Sequence, residues 1–235
     1  MRRRLLTGLA VTAGALLALW LALDLVLAAV VRREGSRVLG APVTLSVALV
    51  RPLAGQAQLR SLTVAQPLGF GEGAALSVER LTVRMAPRAA WRDPLVIDEV
   101  LVQGAFVRVE LRDKRTNLQA LHAHALAALA TPPGAKSQRV VIRRLRVLGA
   151  RASAPAPVPG RPRVTVPVKD LELRDVGGER GATGAQLADL IARLMEPGLA
   201  GALRSANLGR ILGDGAGAGG DKARSGWQKI KGIFN

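Results

Sequence analysis

The chain has 235 residues, enough for one medium domain with attachments and too few for two large domains around separate active sites. Lys and Arg number 34 against 17 Asp and Glu, a net charge of +17, while 49% of residues are apolar, which excludes an ordinary disordered chain. The absence of cysteine excludes disulfide scaffolds, thiolate metal sites and thiol nucleophiles, and two His with no Tyr leave little material for acid–base catalysis.

Arg2, Arg3 and Arg4 precede an uncharged stretch from Leu5 to Leu23, and apolar character resumes from Leu25 to Val31 after the single carboxylate of Asp24. A hydrocarbon core needs about 20 residues as helix, whereas a cleaved signal carries an apolar region of roughly 7–15. Residues 1–34 therefore read as an uncleaved transmembrane anchor, with Asp24 expected to reach the headgroups at the far boundary. Arg32, Arg33 and Arg37 balance the three leading arginines, so the charge count is nearly a tie. The short basic start before a long apolar run favours an exported C-terminus, with Arg32 and Arg33 as candidate membrane-surface contacts.

Beyond the anchor, Val43, Leu45, Val47 and Leu49 alternate with Thr44, Ser46 and Ala48, the period of a strand with one buried face. A more unusual unit follows: two apolar residues at alternate positions, a polar pair, then two more apolar residues displaced by a step of three. It occurs at Ala57–Val64, Leu76–Val83, Leu95–Val102, Val140–Val147 and Val166–Leu173. In a regular strand the step of three would send the second half to the opposite face. A β-bulge at the polar pair would restore a single apolar face and sharpen the twist. The sequence thus predicts a curved antiparallel sheet bulged at Arg60-Ser61, Glu79-Arg80, Asp98-Glu99, Arg143-Arg144 and Lys169-Asp170. The alternative is that each unit is two short strands joined by a turn, or one strand crossing two sheets. Phe106–Leu111 reads as one further regular strand.

Thr116-Asn-Leu-Gln119 and Thr183-Gly-Ala-Gln186 have the form of capping boxes, so a helix is expected after each. Their apolar stripes, Leu118, Leu121, Ala125 and Leu129 in the first and Leu187, Leu190, Ile191, Leu194 and Met195 in the second, suit them to cover part of the sheet. The fold class expected is mainly β with helices, an α+β domain over 35–212. A Gly/Ala linker at 213–226 then leads to an amphipathic segment at 227–235, where Trp227, Lys229, Lys231 and Phe234 are candidate membrane-surface contacts.

Gly215-Ala-Gly217-Ala-Gly-Gly220 matches GxGxxG only formally, since no strand precedes it. Gly69–Gly73 leads into a strand where a phosphate cradle needs a helix. His122 and His124 lie about 200° apart around a helix and cannot share a metal, and Asp98 and Glu99, as strand neighbours, should face opposite ways. Catalysis has no visible carrier, so no enzyme activity, cofactor or metal is expected. Function is left to surfaces, above all the apolar face formed by Leu59, Leu62, Val64, Leu81, Val83, Val100, Val102, Val107 and Val109. Complete cover by helices would make that face a closed core; incomplete cover would leave a groove suited to acyl chains.

The order of features resembles the N-terminal region of the AsmA family of bacterial envelope proteins. The resemblance is carried by the single anchor, Leu39-Gly40 leading into Val43–Leu49, and Leu59–Val64 running into Gln66-Pro67-Leu68-Gly69-Phe70. It continues in Leu76–Val83, Ile97–Gly104 and Asn117-Leu118. The family has Asn where this chain has Gln66. The resemblance implies an inner-membrane anchor, a periplasmic β-rich groove and a role in lipid traffic or envelope integrity, with phospholipid or membrane as partner. The alternative is a scaffold that recruits an envelope protein by strand addition. Nucleic-acid binding through Arg139, Arg143, Arg144, Arg146 and Arg151 is the minor alternative; it lacks interleaved aromatics, and no nucleic-acid partner is expected.

Overall fold

A computed structural model describes residues 22–113, 115–130, 137–155 and 163–193, and the domain is α+β, a large sheet carrying three helices. Helix α1 covers residues 22–39, α2 is Asn117–Leu129 and α3 covers 184–193, with a 3-10 turn at Pro87–Trp91. No helix of the described residues is long and apolar enough to cross a membrane. The expected span from Leu5 lies almost wholly outside the described residues, as do the 213–226 linker and Trp227, Lys229, Lys231 and Phe234. Helix α1 runs unbroken through the boundary expected at residue 34.

Both capping boxes form. Thr116 Oγ1 accepts from Gln119 N while Gln119 Oε1 accepts from Thr116 N. Thr183 and Gln186 repeat the exchange at the start of α3. Each box satisfies backbone donors that the first helical turn cannot, which is why these two helices begin where the sequence places them.

The main sheet has ten strands. They are β1 (Val43–Thr44), β2 (Val47–Arg51), β3 (Gln56–Ala65), β4 (Ala74–Arg84), β5 (Leu95–Ile97), β6 (Glu99–Arg108), β9 (Val140–Leu148), β10 (Arg151–Pro155), β11 (Arg163–Pro167) and β12 (Leu171–Val176), while β7 (Leu111–Arg112) and β8 (Arg115–Thr116) form a separate hairpin. The meander β2–β3–β4–β6 is antiparallel. The sheet as a whole is mixed, contrary to the antiparallel expectation, because β9 pairs parallel with β5 and β6, and β10 pairs parallel with β6. Helix α2 supplies the physical reason: after β6 the chain crosses over the sheet through a helix and returns in the same direction. Phe106–Arg108 is the end of β6 rather than the start of a new strand.

The five polar pairs resolve differently from the bulges expected of them. Pairings on both sides of Ser61 keep one register between β3 and β4, and those on both sides of Glu79 keep one register between β4 and β6. The register of β9 and β10 against β6 continues across Gly149, and that of β11 and β12 continues across Lys169. Ser61, Glu79, Gly104, Gly149 and Lys169 therefore stand in one row across the sheet. Each strand changes the parity of its apolar side chains at the same height. A bulge leaves one residue unpaired because only one strand takes the extra residue; here every strand takes it together and the ladder stays aligned. On three of the five strand lines the change is made by left-handed backbone, at Ser61 (φ 51), Gly104 (φ 62) and Gly149 (φ 63). A second such row runs through Asp98, Arg143 and Asp175, with φ 50 at Asp175. The one irregularity in the β3–β4 register falls at Val64/Ala65, at none of the polar pairs.

Candidate functional site: the apolar sheet face

Aligned parity changes gather the apolar side chains into rows on one face. Leu59, Leu81, Val102, Val147 and Leu171 stand in register on one side of the Ser61–Lys169 row, and Leu62, Val78, Ala105, Ala150 and Val168 on the other. Farther along, Val64, Leu76, Val107, Ala152 and Val166 form the next row. A continuous apolar surface crosses five strand lines because the row of polar pairs has been turned to the outer face.

The helices cover this surface at its margins. Leu27, Ala28 and Val31 of α1 pack with Leu45, Ala48 and Leu59. Leu118 and Leu121 of α2 pack with Val43, Val64 and Ala75, and Leu118 reaches Val107, Ala152 and Val166. Leu187 of α3 packs on Ile142, Leu145 and Val176. Between them lies a central cluster of Val78, Ala105, Val147 and Ala150, flanked by Leu62, Leu76, Leu81, Val102, Val168 and Leu171, and no described helix residue joins it. The four central residues are buried, and the flanking residues keep part of their surface exposed. The result is an apolar strip with three helical walls.

The nine face residues expected from the sequence divide accordingly. Leu59, Val64 and Val107 are buried beneath α1 and α2. Leu62, Leu81 and Val102 border the central strip, and Val109 packs at the α2 end. Val100 lies in the α3 cluster, with Val83 half-buried opposite it. Leu76, Val78, Ala105, Val147, Ala150, Val168 and Leu171 complete the strip and were not among the nine. The signal that finds Ala105 and Ala150 is the same step of three, from Val102 and from Val147, with glycine standing where the polar pair stands elsewhere.

Polar groups hold the α2 end of the strip. Asn117 is fully buried; its Nδ2 donates to Gln66 Oε1 (2.9 Å) and to Arg108 O (2.6 Å), and its Oδ1 accepts from Glu110 N (2.9 Å). The two motifs singled out in the sequence, the turn from Gln66 and the Asn-Leu pair, thus meet across the core. Arg163 donates to Val109 O (2.8 Å) and Ser153 Oγ (3.1 Å) and pairs with Glu110 (3.6 Å). Burial and the neighbouring Arg108 lower its guanidinium from the usual range, against a raising effect of Glu110. It stays charged at any ordinary pH.

The outer face is a lattice of charges. Asp98 and Glu99 face the same side, contrary to the expectation for strand neighbours, because the second parity row runs through Asp98: Arg143 Nη1 donates to Asp98 (3.1 Å) and Arg84 Nη1 to Glu99 (2.9 Å). Arg144 pairs with Glu172 (3.9 Å), and Arg146 lies 3.6 Å from Glu99 and 4.0 Å from Glu172. Three of the five arginines considered for nucleic acid are thus ion-paired within the sheet. Among the described residues no group of three His, Asp or Glu is placed to hold a metal. Arg32 reaches Leu45 O (3.5 Å) while Arg33 is exposed. The chain matches no protein-family model and no curated protein.

Proposed function

We propose that the protein is a non-enzymatic, single-pass component of a bacterial envelope, anchored in the inner membrane by residues 5–23, whose periplasmic sheet shelters phospholipid acyl chains and supports lipid transport or envelope integrity. The observation that supports this reading is the central strip, apolar across five strand lines, whose cluster no described helix residue joins. A methylene buried against such a surface contributes about 0.8 kcal/mol, so an acyl chain is a better occupant than any polar ligand. The resemblance to AsmA proteins supports the same compartment and partner.

The test is co-purifying phospholipid per folded protein, read together with the unfolding midpoint. Val102→Asp or Leu171→Asp sets a charge against the acyl chains and is expected to empty the protein while leaving most of its stability. Leu59→Asp, buried under α1, is expected to lose the fold itself. Unchanged lipid content in Val102→Asp and Leu171→Asp, or no lipid in the parent protein, rejects the groove and leaves the scaffold reading, which a stoichiometric envelope-protein partner would then support. An export-dependent reporter fused after Asn235 should be active; a cytosolic C-terminus rejects both readings.

A further inference from the structure

The sheet has two ends, and only one lies beside the start of α1 at residue 22. Helix α1 runs antiparallel to the first strands: Arg32 Nη2 donates to Leu45 O (3.5 Å), Ser36 Oγ accepts from Val43 N (2.8 Å), and Asp24 Oδ1 accepts from Val50 N (2.6 Å). The β2–β3 turn, which follows Val50, is therefore at the end from which the apolar stretch departs. Two loops meet at this end. Gly55 O accepts from Met85 N (2.9 Å), and a Cβ on Gly55 would fall 1.9 Å from Met85 O, so the β2–β3 turn and the connection after β4 are clamped backbone to backbone. Each loop carries a large apolar side chain held out of the fold, Leu53 at 88% and Trp91 at 91% exposure. Around them Arg51, Arg88 and Arg92 are exposed with no ion-pair partner among the described residues, and they outnumber Asp93, the one carboxylate of the same loop.

We propose that this end of the sheet is a second membrane contact: Leu53 and Trp91 insert at the interface of the bilayer that holds residues 5–23, and Arg51, Arg88 and Arg92 take its anionic headgroups. Trp is suited to that depth because its ring is apolar and its N–H wants a polar partner. Each arginine near an anionic surface adds electrostatic attraction to it. A membrane surface satisfies both features at once, whereas a protein partner would have to supply apolar pockets and acidic groups in the same spacing. Two loops on separate strands add fixed points to the helical tether and set the sheet upright on the membrane, which a single helix cannot do. This inference rests on the anchor reading of residues 5–23.

The test uses the full chain reconstituted into vesicles of brominated phosphatidylcholine and phosphatidylglycerol, with Trp20→Phe and Trp227→Phe leaving Trp91 as the sole tryptophan. Trp91 fluorescence should be quenched at least about two-fold more than that of a tryptophan introduced by Leu68→Trp in a Trp91→Phe background, since Leu68 is equally exposed but on the β3–β4 loop at the opposite end. Combining Arg88→Glu with Arg92→Glu should reduce quenching of Trp91 while the chain stays with the vesicles and keeps its circular dichroism. Equal quenching at positions 68 and 91, or none at 91 in a chain that resists a high-pH wash, overturns the contact and spares the anchor. A chain that washes off overturns both.

Discussion

Asp24, the one charge in the apolar N-terminal run, spends its carboxylate on Val50: Oδ1 accepts from Val50 N at 2.6 Å. Among the described strands β2 pairs only with β3, and α1 lies along its other edge. The carboxylate thus belongs to the domain rather than to the headgroups, and the helix is already folded onto the sheet by residue 24. A hydrogen bond to a charged group contributes about 1.5–3 kcal/mol. Asp24→Ala should lower domain stability by roughly that amount without loosening retention of the chain in membranes, measured by denaturant unfolding beside a high-pH wash.

The row of parity changes makes a comparison of two glycines informative. Gly104 and Gly149 share a left-handed backbone, but a Cβ on Gly104 would lie 2.3 Å from Glu79 Cδ while one on Gly149 meets nothing. Gly149→Ala should cost about 1–2 kcal/mol for backbone alone, and Gly104→Ala more. Adding Glu79→Ala to Gly104→Ala should recover the difference; a double-mutant cycle by thermal unfolding reads the coupling.

Asn117 holds three partners at zero exposure, whereas Gln66, its side-chain partner, leaves Nε2 without one. Asn117→Ala strands buried backbone groups at about 1–3 kcal/mol each and should sharply destabilise the protein. Gln66→Met removes the orphan Nε2 but strands one hydrogen of Asn117 Nδ2, so it should cost about 1–3 kcal/mol, less than Asn117→Ala with its several stranded groups. Their unfolding midpoints should differ by several degrees.

Arg163 ties β11 to Val109 O, Ser153 and Glu110 through separate nitrogens of one planar group. Lysine offers a single ammonium and cannot reproduce the fork. Arg163→Lys should therefore lose about as much stability as Arg163→Met, on the order of 1–2 kcal/mol in denaturant unfolding; full rescue by lysine would show that charge alone matters there.

Much of the frame is legible in the residues themselves. The capping boxes at Thr116 and Thr183 announce both helices, because a cap is a local arrangement of four residues. The step of three at Ser61, Glu79 and Lys169 marks where each strand must turn its side chains, since period and face are bound together along one strand. What happens there could not be read locally. A bulge and an aligned parity change have the same spacing within a strand, and only the neighbours' register distinguishes them. The parallel pairing of β9 and β10 with β6 was equally invisible, because it depends on α2 crossing the sheet rather than on the apolar pattern of either strand. So were the partners of Asp24 and Asn117, which lie far away in the chain. Apolar spacing thus determined which side chains would share a face; tertiary packing alone decided that three helices dock at the margins of that face and that no described helix residue joins its central cluster, because coverage depends on where elements dock and not on what any one of them contains.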